Sequence, residues 1–147
     1  MFKPHINDWE DYKKYFNNRL AEVKIPSEIA PHEIKHITSV LNDIYDEVFF
    51  DFAHYKSLYE NIDDLIDEIR SRNLVGSNSE HRRKNGYDAA GEFQKSDGET
   101  VNLFELRRRY RERFNFLKAI MDSIQSKKSS LIVDSAVLKI EASLLGG

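Results

Sequence analysis

From residue 34 to residue 69 an apolar side chain recurs every three or four positions, at Ile34, Ile37, Leu41, Ile44, Val48, Phe52, Tyr55, Leu58, Ile62, Leu65 and Ile69. This is the spacing of one face of an α-helix, and neither proline nor glycine interrupts the chain between Pro31 and Leu74. The pattern predicts a single helix over 31–74. At 1.5 Å per residue such a helix is about 60 Å long, and it persists in water only if its apolar stripe leans on another helix or another subunit. Pro31 suits its first turn, where the missing N–H costs nothing.

A second stripe runs through Leu103, Leu106, Tyr110, Phe114, Leu117, Met121, Ile124, Lys128 and Leu131 and continues to Ser135, Leu138 and Ala142. Its start carries two agreeing signals. Asn102 can cap the helix while Glu105, three residues on, closes a capping box, and Val101 can staple to Leu106. A second long helix is therefore expected over 103–144, with SSLIVDS as the place for a kink or a change of partner, and Gly146 and Gly147 as its stop. Ahead of both, Trp9, Tyr12, Phe16 and Leu20 line one side of a short amphipathic helix over 8–23, with Lys13, Lys14, Asn17 and Asn18 opposite and Pro26 beyond its end.

Residues 75–100 read as a basic, flexible connection. Gly76 can supply a left-handed position, and Ser77, Asn78 or Ser79 can cap a helix starting after them. Glu80 to Lys95 holds helix formers, but Gly86 and Gly91 each weaken a helix by about 1 kcal/mol relative to alanine. A short or frayed helix, mobile without a ligand, is expected there, with a turn at Ser96, Asp97 and Gly98 after it. The expected fold class is all-α: one domain of 147 residues, built as an extended antiparallel helical hairpin of two long helices with a short N-terminal helix.

Composition removes several chemistries. The chain has no cysteine, which excludes disulfides, thiolate catalysis and thiolate metal sites. No apolar run reaches the roughly 18 to 20 residues that span a bilayer, and the start, MFKPHINDWEDYKKYF, lacks the apolar core of a secretory signal. No membrane partner is expected, and the expected location is the cytoplasm. The formal charge of −3 hides an asymmetry: residues 1–69 carry seven basic and fifteen acidic groups, a net −8, and residues 70–147 carry fifteen and ten, a net +5. Such a chain can associate head to tail, dock one half on the other, or turn a basic face to an anionic partner.

Catalytic signals are weak. His32, Glu33 and His36 spell HEIKH, the spacing with which a zincin helix holds zinc and activates water. Lying one residue after a first-turn proline, without a third ligand or a catalytic-domain length around them, they read as surface or capping histidines. Asp63 with Asp67 and Asp64 with Glu68 form carboxylate pairs, but Leu65 and Ile66 between them place the acids opposite the packing stripe, on a solvated or docking face. No phosphate loop, dinucleotide fingerprint or nucleophile elbow is present. No catalytic residue, metal site or cofactor is assigned, and the chain is expected not to be an enzyme.

The basic clusters are more informative. Arg82, Arg83 and Lys84 stand beside Tyr87 in the connection, so that their charges can converge on phosphates while Tyr87 or Phe93 stacks on a base. Arg107, Arg108, Arg109, Arg111 and Arg113 crowd two turns of the second long helix, and Lys127 and Lys128 can extend the track. Arg107, Arg108 and Arg111 join the candidate nucleic-acid contacts. The alternative is that these cations cover aliphatic surface or pair with the acidic first long helix.

RRKNGYDAAGEF, Arg82 to Phe93, resembles the basic, tyrosine- and glycine-containing DNA-binding stretch of the small phage recombination-mediator family represented by UvsY. IMDSIQSKKSSLIVDSAVLKIEA, Ile120 to Ala142, is similar to its assembly helix in the order of an apolar stripe, a basic pair and a second apolar run. The acidic N-terminal half and the aromatic first helix depart from that pattern. The resemblance implies that Arg82, Arg83, Lys84 and Tyr87 contact single-stranded DNA. It also implies a homo-oligomer formed by the C-terminal helix, through Leu117, Met121, Ile124, Leu131 and Leu138. A protein of this kind assists loading of a strand-exchange recombinase onto DNA coated by its single-stranded-DNA-binding protein, in the host cytoplasm if phage-encoded. The competing expectation is a structural or adaptor protein of a phage or cellular assembly, acting through helical interfaces.

Overall fold

A computed structural model of the chain describes residues 2–146. Four helices take 78% of it and the only strands among the described residues are two residues long each, so the fold is all-α. The elements are α1 (Trp9–Glu22), α2 (Pro31–Arg72), α3 (Ser79–Gly91), β1 (Phe93–Gln94), β2 (Thr100–Val101) and α4 (Leu103–Gly146). Gly146 is the last residue of α4, and Gly147, expected as part of its stop, lies outside the described residues. No helix among the described residues is long and apolar enough to cross a membrane.

The chain divides into two compact units, residues 1–50 with 117–147, and residues 51–116. In the first unit three helical segments supply most of the buried side chains, with Val23 and Ile29 of the connection between α1 and α2 added to them. The helical ones are Tyr12, Tyr15, Phe16 and Leu20 of α1, Leu41, Ile44 and Val48 of α2, and Leu117, Ile120, Ile124 and Leu131 of α4. Tyr15 is an addition to the expected apolar face of α1. Its ring lies edge-on to Phe16 at 5.0 Å and its hydroxyl donates to Glu47 at 3.4 Å. Arg19 closes an ion pair with the same carboxylate. Burial opposes the Arg19 charge, but the Glu47 carboxylate outweighs it and holds the guanidinium pKa above its ordinary value.

In the second unit α2 ends where Asn73 donates twice to the Ile69 carbonyl, from its backbone N–H at 3.1 Å and from its side-chain amide at 2.7 Å. Gly76 then takes φ +145°, and a Cβ there would meet the His81 ring at 2.8 Å. Asn78 caps α3, its Oδ1 accepting from the His81 N–H at 2.8 Å. The two glycines expected to weaken this helix have different roles. Gly86 is buried because it lies on the backbone of α2, where a Cβ would stand 2.8 Å from the Arg70 carbonyl oxygen, whereas Gly91 has nothing within 4 Å. The core here is Ile66, Ala90 and Leu103, flanked by Ile62, Leu65, Ile69, Phe93, Phe104 and Leu106.

The expected turn at Ser96, Asp97 and Gly98 is the tip of a small antiparallel hairpin pairing Phe93 with Val101 and Gln94 with Thr100. Gly98 adopts φ +87°, a conformation that costs a side-chain-bearing residue. The Asp97 carboxylate accepts from the Glu99 N–H at 2.9 Å. That bond, helped by the Lys95 ammonium, holds the Asp97 pKa below the ordinary carboxylate value. Beyond the hairpin Asn102 caps α4 as expected, its Oδ1 accepting from the N–H groups of Phe104 at 3.0 Å and Glu105 at 3.3 Å.

The contrast between the two α3 glycines gives a direct test. Gly86→Ala forces α3 away from α2 and lowers the unfolding free energy by about 1–3 kcal/mol, the range for overpacking a close contact. Gly91→Ala raises it by about 0.5–1 kcal/mol by restricting the unfolded chain. Urea unfolding of the two variants checks both signs; equal effects would contradict the packing described.

Candidate nucleic-acid interface

The face that gathers the expected contacts is built where α3 meets the first turns of α4, inside the second unit. Small residues at Gly86 and Ala90, one turn apart, let α3 lie flat on its neighbours. Tyr87, next to Gly86, is thereby placed over Phe104, ring on ring at 4.3 Å and 19°. Tyr87 as a whole remains 54% exposed, with its ring backed by Phe104 on one side. One turn before it on α3 stand Arg83 and Lys84, and on α4 Arg108 and Arg111 follow Phe104 by four and seven residues, the spacing of one helix face.

The cations differ in what they touch. Arg83, Lys84, Arg109 and Arg111 are exposed and have no carboxylate partner among the described residues. Arg82 reaches back to the Gly76 carbonyl at 3.5 Å. Arg108 pairs with Glu112 at 2.8 Å on the exposed side of its own helix. Arg107 is engaged differently: its guanidinium donates to Asp63 of α2 at 2.7 Å and lies 5.5 Å over the Phe104 ring. Its side chain is only 28% exposed. Arg113 likewise donates to the Tyr55 hydroxyl at 2.8 Å.

The expected set is thus divided by packing. Arg83, Lys84, Arg108 and Arg111 stand at helix-face spacing from the Tyr87–Phe104 stack and are exposed, Arg82 is exposed but reaches toward Gly76, and Arg107 is turned inward to brace α4 against α2. Asp63, expected on a solvated or docking face, is the carboxylate that holds it. Phe93, the other ring considered for base stacking, packs against Ile66, Ala90 and Leu103. Lys127 and Lys128 are half-buried in the other compact unit. Phe104 was outside the expected site; its only sequence signal is its place four residues ahead of Arg108.

The residues expected to join subunits are also redistributed. Leu117, Ile124 and Leu131 are fully buried inside the chain's own first unit, and Met121 and Leu138 are half-buried. The apolar side chains that α4 leaves exposed are Ile132, Val133, Val137, Ile140, Leu144 and Leu145. Four of these, Val133, Val137, Ile140 and Leu144, alternate by four and three residues, the heptad spacing of a coiled-coil seam.

His32 and His36 are exposed, Glu33 is half-buried, and no group of three or more His, Asp or Glu side chains among the described residues is placed to hold a metal ion.

The division of the arginines is measurable. Arg107→Ala removes a partly buried ion pair and a ring contact and lowers the unfolding free energy by about 1 kcal/mol, whereas Arg111→Ala changes it by less than about 0.5 kcal/mol. Thermal unfolding of the two variants separates the bracing arginine from the surface one.

Comparison with known protein families, with characterised proteins and with solved structures finds no match to this chain.

Proposed function

We propose that the chain is a non-catalytic accessory protein that binds single-stranded DNA, with the surface around Tyr87 as the contact. The observation that carries this reading is a half-exposed tyrosine held flat on Phe104, with Arg83 and Lys84 of α3 and Arg111 of α4 at neighbouring helical positions and without a carboxylate partner among the described residues. An aromatic platform among cations is the combination that single strands require. Bases stack on a ring regardless of sequence, and phosphates are held by lysine and arginine. The likeness of the Arg82–Phe93 stretch to the DNA-binding stretch of the phage recombination mediators gives the proposal its biological form. In that form the protein assists loading of a strand-exchange recombinase onto single strands covered by their binding protein. Energy then comes from binding or from the partner, since no residue set for nucleotide hydrolysis is assigned to this chain.

Homo-oligomerisation is part of the same proposal, with the heptad stripe Val133, Val137, Ile140 and Leu144 as the seam. An exposed apolar row on a helix is stabilised by covering it with a like row. Antiparallel pairing of α2 with α4 is supported within the second unit. There Tyr55 lies 5.9 Å from Tyr110, and Asp63 bonds Arg107 farther toward the start of α4.

A structural or adaptor role is the second reading. It is favoured by the same exposed stripe, which serves a protein interface whether or not DNA is bound.

Titration of a labelled mixed-sequence single strand with the protein at several salt concentrations tests the first reading. With about four phosphates neutralised, affinity falls roughly 50-fold between 50 and 200 mM salt. Replacing Arg82, Arg83 and Lys84 together by alanine flattens that dependence, and Tyr87→Ala weakens binding by about 1–3 kcal/mol. Unchanged binding in the triple variant removes the site. For the seam, sedimentation of the intact protein gives a mass above the 17.2 kDa monomer. Val137→Ser with Ile140→Ser brings it down toward the monomer at high salt.

A further inference from the structure

α2 carries an aromatic surface that the DNA-binding reading leaves unused. Tyr45 and Phe49 stack at 6.2 Å and 20°, and Phe50 stands edge-on to Phe49 at 6.2 Å. Phe50 is 78% exposed and Phe49 46%, an unusual position for two adjacent large apolar rings. Along this stretch of α2 itself the charge has one sign, although Arg19 and Lys3 reach Glu47 from outside the helix. Between Lys35 and Lys56 the helix has four carboxylates, Asp43, Asp46, Glu47 and Asp51, and no lysine or arginine. Glu47 is taken by Arg19, and Asp51 has a partner within the chain. Asp43 and Asp46, on the turns just before Phe50, are exposed and unpaired among the described residues.

The chemistry that fits such a patch is a row of arginine and lysine side chains beside a ring. Carboxylates attract the charge, and guanidinium planes lie favourably on aromatic faces. The same chain displays that complement: Arg83, Lys84 and Arg111 around Tyr87, each without a carboxylate partner among the described residues. We infer that the acidic aromatic patch of one copy docks on the cationic face around Tyr87 of a second copy. The contact is heterologous, since two different patches meet, so it propagates from copy to copy. It differs from the α4 seam, which pairs like with like through apolar side chains alone. It occupies the cations assigned to DNA, so, resting on that reading, single strands compete with it and release the copies from one another.

Sedimentation equilibrium of the full-length chain carrying Val137→Ser and Ile140→Ser isolates this contact from the seam. At 50 mM salt the mass rises with protein concentration, and at 500 mM the association weakens by about tenfold, as expected of a screened contact. Asp43→Lys with Asp46→Lys abolishes the salt-sensitive association, and so does Lys84→Glu with Arg111→Glu. An equimolar mixture of these two variants restores it, because each then offers the other a complementary face. Phe50→Ser, which leaves every charge in place, weakens it without changing the helical circular dichroism. A mixture that stays dissociated, or an Asp43→Lys, Asp46→Lys variant that associates like its parent, overturns the inference. Addition of a 20-nucleotide single strand lowers the mass of the unreversed protein. If the charge swap works and the strand has no effect, the docking stands and the DNA-binding reading falls.

Discussion

The candidate site depends on one close approach. At Gly86 the backbone of α3 lies on the Arg70 carbonyl of α2 with no room for a Cβ. Ala90, one turn later, meets Ile66 and Leu103 in the small core of that unit. These two small residues fix the height and rotation of α3, and the rotation puts Tyr87 on Phe104 with Arg83 and Lys84 beside it. A glycine that is unfavourable for helix propensity is required here by packing, because interhelical contact at this distance outweighs a local cost of about 1 kcal/mol.

Folding also reorganises the charge. The N-terminal part of the sequence is strongly acidic and the C-terminal part basic, yet both compact units mix segments from the two. Residues 1–50 with 117–147 hold ten basic and twelve acidic groups, and residues 51–116 hold twelve and thirteen. Each unit is therefore close to neutral, at −2 and −1, and the long-range field implied by the sequence asymmetry largely cancels. What remains is local: cations such as Arg83 and Arg111 that find no carboxylate among the described residues, and carboxylates such as Asp43 and Asp46 that find no cation among them. Short-range pairing, screened beyond about 10 Å at ordinary salt, is the form in which this protein can use its charge.

Much of the secondary structure could be read from spacing. The apolar rows of α2 and α4, Pro31 at the first position of α2 and the Asn102 cap are local signals whose meaning does not depend on the rest of the chain. The β1–β2 hairpin was not legible, because two-residue strands have no measurable period. Burial was legible only approximately. Leu65, a member of the apolar row, is only half-buried, whereas Ile66, outside that row, is fully buried. A stripe on a helix gives a direction, but the partner decides which edge of it is covered.

The sequence by itself determined that this chain is helical, where its helices begin, and which residues could carry charge or stack, since these properties arise from periodicity, capping and side-chain chemistry within a few residues. Only the tertiary structure decided which arginines are spent on bracing and which stay exposed, that Phe104 underlies Tyr87, and that Leu117, Ile124 and Leu131 are internal. Those outcomes depend on contacts between residues far apart in the chain, such as Asp63 with Arg107 across 44 positions and Tyr55 with Arg113 across 58, and no local rule about spacing contains them.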